Sequence, residues 1–233
     1  MIIRALHGIV SDTATVAAAD PALVGTMEFS GTTSDYLTIA NDADLRMSTG
    51  DFTIEWWQYQ TDSNSFPRVF SMGTYPSADI GVSLESSTFY FWAGGGAIAL
   101  GSLGSYKNQW VHFAVSRSGT TLRSFKNGSL LSSTTNSTNF SDSSTALRIA
   151  NESSVTTDAA FGGYLTNFHW VKGTALYTAN FSTPKTPISP VANTKLLLLA
   201  TTSGAVTSDS SGLGKSVANT GVSWRAFNYP TMP

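Results

Sequence analysis

Residues 49–60 read TGDFTIEWWQYQ. Thr49, Gly50 and Asp51 make a turn, after which Phe52, Ile54 and Trp56 alternate with Thr53, Glu55 and Trp57. Alternation at period two is strand geometry, with successive side chains on opposite faces. The adjacent Trp56 and Trp57 must therefore lie on opposite sides of one sheet. Both carry a large apolar surface, so one face is expected to meet a second sheet and the other to line a groove or a partner. Periodicity alone does not say which tryptophan faces the core.

Working outward, the chain reads as a meander of short strands. Upstream, residues 9–17 and 24–30 form two strands joined across Asp20-Pro21, and Tyr36 to Ala40 forms another. Downstream lie Val69 to Gly73, Asp79 to Leu84, Thr88 to Ala93, Ala97 to Gly101 and residues 110–117, separated by Gly, Pro and Ser turns. Asn127-Gly128 between alternating runs is a hairpin signal, because both central residues of a type I′ turn need positive φ. Strands at 146–150 and 161–171 follow. Residues 172–194, with Pro184, Pro187 and Pro190, read as an extended crossover with one helical turn around Thr174 to Tyr177. It leads to an apolar strand, Lys195 to Ala200, that needs a sheet to join. Lys215 to Trp224 is the last strand. About a dozen short strands without helical periodicity predict an all-β, two-sheet antiparallel β-sandwich. The expected organisation is a single domain over 9–225, with an arm at 1–8 and a tail at 226–233.

Composition narrows the classes. Of 233 residues, 41% are apolar and only 12% charged, so Ser, Thr and Asn solubilise the surface, which suits extracellular or particle-borne proteins. A formal charge of −2 offers no clustered cations for phosphates, and nucleic acid is not expected as a partner. There is no cysteine, hence no disulfide or thiolate metal site. MIIRALHGIV is too broken by His7 and Gly8 for a secretory signal, and no apolar run approaches a membrane span, so no membrane insertion is expected.

Catalytic patterns are not met. A retaining glycosidase places two carboxylates about 5–5.5 Å apart, yet Glu55 stands without a second one on its strand. Asp42 and Asp44, the alternate pair, sit in a turn where capping is expected. His7, His112 and His169 accompany no nucleophile motif, and His112 is expected to be a hydrogen-bonded sheet-face histidine. Gly214-Lys215-Ser216 lacks the upstream glycine of a phosphate loop. The chain is read as no enzyme.

The order of FSGTTSDYLTIA (29–40), TGDFTIEWWQYQ (49–60), VFSMG (69–73), QWVHFAVSRSGTTLRSFKNG (109–128), FGGYLTNFHWVKGTALYTANF (161–181) and DSSGLGKSVANTGVSW (209–224) resembles the laminin-G-like, concanavalin-A-like jelly-roll superfamily. That resemblance implies a jelly roll and a lectin-like role. It also implies Ca²⁺ at the rim, where Asp79 and Asp158 occupy matching places as oxygen ligands. GTALYTANFSTPKTPISPVANTKLLLL looks like a variant found in marine bacteriophage and environmental proteins. It implies a virion-surface protein, a capsid decoration or tail-associated adhesin, whose partners are other virion proteins or its own copies in an oligomer or lattice. The alternative is a soluble extracellular module that binds cell-surface glycan, with or without Ca²⁺. A sugar site needs an aromatic platform and planar polar groups; Tyr75, Trp92, Tyr106 and Asn108, in or beside loops, are the candidates. The commoner role of a Trp inside a run such as FYFW is in the core, and of such tyrosines as ordinary surface aromatics.

Overall fold

The computed structural model describes residues 23–78, 80–140 and 145–228. The expected arm, the strand at 9–17 and residues 229–233 lie outside them, as does Asp79. Among the described residues fifteen strands form: β1 (Leu23–Ser30), β2 (Tyr36–Ile39), β3 (Phe52–Gln60), β4 (Arg68–Met72), β5 (Ile80–Glu85), β6 (Thr88–Ala93), β7 (Gly96–Ser102), β8 (Trp110–Ser118), β9 (Thr121–Lys126), β10 (Ser129–Thr135), β11 (Leu147–Ile149), β12 (Gly162–Lys172), β13 (Thr194–Leu198), β14 (Val217–Thr220) and β15 (Ser223–Asn228). No helix among them is long and apolar enough to cross a membrane.

The strands build two antiparallel sheets packed face to face, the predicted sandwich. One runs β10-β9-β8-β3-β12-β1-β15, with β13 on the distal half of β12; the other runs β14-β2-β11-β4-β5-β6-β7. Trp56 is the tryptophan that faces the core. It meets Phe70, Phe89 and Phe113 at ring-centre distances of 5.8, 6.2 and 5.9 Å, tying β3 to β8 beside it and to β4 and β6 across the sandwich. Edge-to-face and offset contacts of this kind add to the area that the rings bury.

Trp57 is equally buried on the opposite face, where a groove or partner was expected. The occupant is the chain's own segment 173–193, which lies across the sheet as a strap. The Trp57 indole N–H donates to the Pro184 carbonyl at 2.9 Å, the Thr53 hydroxyl donates to the Thr174 carbonyl at 3.1 Å, and the Asn167 amide donates to the Thr186 carbonyl at 3.1 Å. No helical turn forms at 174–177, since the Leu176 N–H is drawn to the Thr53 hydroxyl, 2.8 Å away.

The predicted last strand is two strands in different sheets. β14 pairs with β2 and β15 with β1, and Gly221 turns the chain between them with φ +71°. β15 continues to Asn228, so pairing extends beyond residue 225 into the expected tail.

Candidate functional site

A cleft of about 630 Å³ opens on the outer face of the second sheet. It begins with the pleat of β6: Phe89 and Phe91 enter the core, and Tyr90 and Trp92 therefore face outward. On neighbouring β5, Ser83 lies opposite Tyr90, and on β4 Arg68 lies opposite Ser83. Cross-strand register thus places a guanidinium, a hydroxyl and the Tyr90 ring in one row, with Trp92 two residues further along β6 on the same face.

Electrostatics fixes this row. Arg68 is only 4% exposed, and a buried guanidinium needs partners. It donates to Glu85 Oε1 at 2.8 Å, its Nε stands 3.7 Å from Glu152 Oε2, and its charge lies 4.5 Å from the centre of the Trp92 ring. The Trp92 indole N–H donates to the Ser83 hydroxyl at 2.9 Å, and that hydroxyl donates to Glu85 Oε1. Glu152 accepts the backbone N–H of Tyr75 at 3.1 Å and the Ser154 hydroxyl at 2.8 Å. Tyr75 is thereby held by its backbone with its ring free: it stands edge-on to Trp92, centres 5.2 Å apart at 90°, and remains 60% exposed. Phe66, 48% exposed, lines the same cleft. Exposed rings beside hydrogen-bonding groups can stack on the C–H face of a ligand while its hydroxyls find polar partners. Glu85 Oε2 has no hydrogen bond among the described residues.

Of the sequence-predicted residues, Tyr75, Trp92 and Asp158 come together at this cleft. Tyr106 and Asn108 do not join them. Tyr106 is buried against the core and lines a separate hollow with Asn64 and Lys107, and Asn108 is exposed at φ +56° in the turn before β8. Asp158 is an exposed carboxylate on the loop before β12, and Asp79 lies outside the described residues. Among the described residues no three His, Asp or Glu side chains gather as metal ligands, and the calcium site that the resemblance implies lies in part outside them, at Asp79. Sequence reasoning missed Arg68, Glu85 and Glu152. The available signal was a charge next to an apolar run, RVFSM for Arg68 and IGVSLE for Glu85.

A second polar centre lies beneath the strap. Register sets His169 of β12 opposite Glu55, and His112 of β8 opposite Trp57. The buried Glu55 receives His169 Nδ1 at 2.9 Å, His112 Nε2 at 3.1 Å and the Tyr177 hydroxyl at 2.7 Å; His169 Nε2 meets Thr194 Oγ1 at 2.8 Å. Burial alone would raise the Glu55 carboxyl, but the hydrogen bonds and charge of His112 and His169 outweigh it and hold its pKa down to about 2. Burial, reinforced by the Glu55 anion, pushes the Tyr177 phenol well above its usual range. His112 is the hydrogen-bonded sheet-face histidine expected from its strand. Both Glu55 oxygens are occupied by donors, which makes the group an anchor for the strap. The Asp42–Asp44 pair caps a turn as anticipated, with Asp42 accepting the Asp44 N–H, and both carboxylates hold Lys215 at 2.7 and 3.0 Å.

Sequence comparison finds no match among curated proteins. Solved structures are similar in fold. A candidate carbohydrate binding protein from Bacteroides ovatus ATCC 8483 superposes with a TM-score of 0.67 at 13% identity, over 88% of this chain and 60% of its own length. The heptameric SAP-like pentraxin from Limulus polyphemus gives 0.52 at 14% identity, over 69% of this chain and 81% of its own. The chain thus spans 60% of the length of the Bacteroides protein. Residues 30–177, well over half of the sequence, match a laminin G family model, and with its two-sheet jelly roll the chain belongs to the concanavalin A-like lectin/glucanases superfamily.

Proposed function

We propose that the chain is a non-enzymatic carbohydrate-binding module whose saccharide lies in the cleft over Trp92 and Tyr75. The observation that carries this is the Tyr75 ring, left 60% exposed although its backbone is pinned to Glu152. An exposed aromatic held in one place costs little ordering entropy on binding and offers a flat apolar face. The fold likeness to a candidate carbohydrate binding protein supports the same reading. Glu55, the carboxylate at which glycoside hydrolysis was weighed, has both oxygens engaged, which supports a binding role over hydrolysis. The phage-like segment 173–199 supports a setting on a virion surface, as a decoration or tail-associated adhesin that contacts host glycan. In that setting the protein co-purifies with particles at a fixed copy number; a chain that never associates with particles argues for the free extracellular module.

The test is a glycan array followed by titration of the best ligand. Tyr75→Ala is expected to weaken binding about tenfold or more, from the loss of one stacking ring. Its melting temperature should stay within about 2 °C, because truncating an exposed side chain rarely costs more than about 0.5 kcal/mol. Unchanged affinity in a folded Tyr75→Ala protein would place the ligand elsewhere.

A further inference from the structure

We infer that the cleft over Trp92 selects saccharides by charge, taking neutral and amine-bearing sugars and rejecting acidic ones. The inference rests on the carbohydrate-binding reading of this cleft and adds the ligand class to it.

Among the described residues, the charges that line the cleft are Arg68, Glu85, Glu152 and Asp158. One guanidinium against three carboxylates leaves a formal charge of −2. The only cation among the described lining residues is already committed: Arg68 is buried, bonded to Glu85, close to Glu152 and covered by the Trp92 ring. Recognition of a carboxylate or sulfate on a sugar needs a guanidinium or ammonium with free donors. Here the sugar would meet Glu85 Oε2 and Asp158 instead. These are acceptors when ionised and suit hydroxyl or ammonium donors. A uronate, sialyl or sulfated residue brings a like charge into a partly enclosed space, where screening is weaker than on an open surface. A protonated amino sugar brings the opposite charge and gains from the same field, and the exposed Tyr75 and Phe66 rings favour a cation further.

The experiment uses the full chain, in chelator so that no added divalent ion alters the charge of the cleft. A printed array carrying neutral, amine-bearing, uronate, sialylated and sulfated saccharides is probed first, and the best neutral ligand and its charged counterparts are then titrated at low and high salt. Acidic counterparts are expected to bind roughly tenfold more weakly than the neutral sugar, and amine-bearing ones more tightly than their N-acetylated forms, with both differences shrinking in salt. Asp158→Asn, which leaves the carbonyl that accepts the Phe66 N–H in place, should narrow the gap between neutral and acidic sugars about threefold. Equal or tighter binding of acidic sugars overturns the charge selection while the carbohydrate-binding reading stands. Binding of no sugar at all, by a folded protein, overturns both.

Discussion

At the scale of single residues, Glu55 makes the sharpest test of how this chain is held together. Its carboxyl is shifted from 4.5 down to about 2 in the fold. A depressed folded pKa gives stability that is fully present above the unfolded value of about 4.5 and is lost as pH falls through the folded one. Between pH 5 and 2 this group should withdraw on the order of 3 kcal/mol from the unfolding free energy. Asp42, Asp44 and Asp209 are lowered too, so the informative quantity is the difference from Glu55→Gln. At pH 7 that variant should be less stable by about 2–3 kcal/mol, because its amide N–H₂ meets N–H and O–H donors. The gap should close towards pH 2. Urea unfolding at several pH values measures it, and parallel curves would show that Glu55 is not the titrating anchor. The sequence marked His112 as a hydrogen-bonded sheet-face histidine but not its partner. Glu55 lies 57 residues from His112 and 114 from His169, and only strand register brings them together. The cleft was half legible: aromatic residues near turns marked Tyr75, which is exposed, and Trp92, which is only 5% exposed beneath it, whereas Arg68, Glu85 and Glu152 resemble surface charges until the fold pairs them. Tyr106 misled because a tyrosine beside a turn looks the same in sequence whether its ring enters the solvent or the core.

Among the elements, the strap 173–193 is what the sequence described least well. Its prolines correctly marked an extended crossover, and the apolar strand after it correctly demanded a sheet. Its resting place was not visible, because the strap is held by single hydrogen bonds from side chains spread over β3 and β12. Tyr177 and Phe181 stack within the strap at 3.5 Å, and the Phe181 N–H donates to the Gly128 carbonyl at the tip of the β9–β10 hairpin. The strap is therefore pinned to Glu55 through Tyr177, to the hairpin through Phe181 and, beyond both, to Trp57 through Pro184. Trp57→Phe keeps a buried ring but removes the N–H that reaches Pro184. The unpaired carbonyl should cost about 1–2 kcal/mol, and local opening should rise in the strap alone. Hydrogen exchange by mass spectrometry is expected to show faster exchange across 176–188, with β8 unchanged. Acceleration spread evenly over both sheets would mean instead that Trp57 acts through the core.

For the whole molecule, the question is what makes two sheets behave as one body. The aromatic core answers in part, and β3 with its Trp56 was readable from twelve residues because strand periodicity is local. The closure at the C-terminal end was not readable: VANTGVSW alternates well enough for one strand, yet the chain changes sheets inside it. Gly221 permits this. Its φ is +71°, and a Cβ there would stand 2.2 Å from the Ser34 carbonyl oxygen, a backbone atom that has no rotamer by which to retreat. Gly214 has a comparable φ of +65° but nothing within 4 Å of a Cβ. The two glycines separate conformational strain from collision. Gly214→Ala should cost roughly 1 kcal/mol, the price of the left-handed backbone alone. Gly221→Ala should cost roughly 2–3 kcal/mol, since β14 or β15 must shift from its partner as well, and the melting temperature should fall by roughly 5–10 °C. Because β14 completes one sheet and β15 the other, the loss should appear as one calorimetric transition moved downward, with core tryptophan fluorescence and far-ultraviolet dichroism moving together. Two resolved transitions would show that the sheets unfold separately, and equal costs for the two variants would show that the crossing at Gly221 is not what couples them.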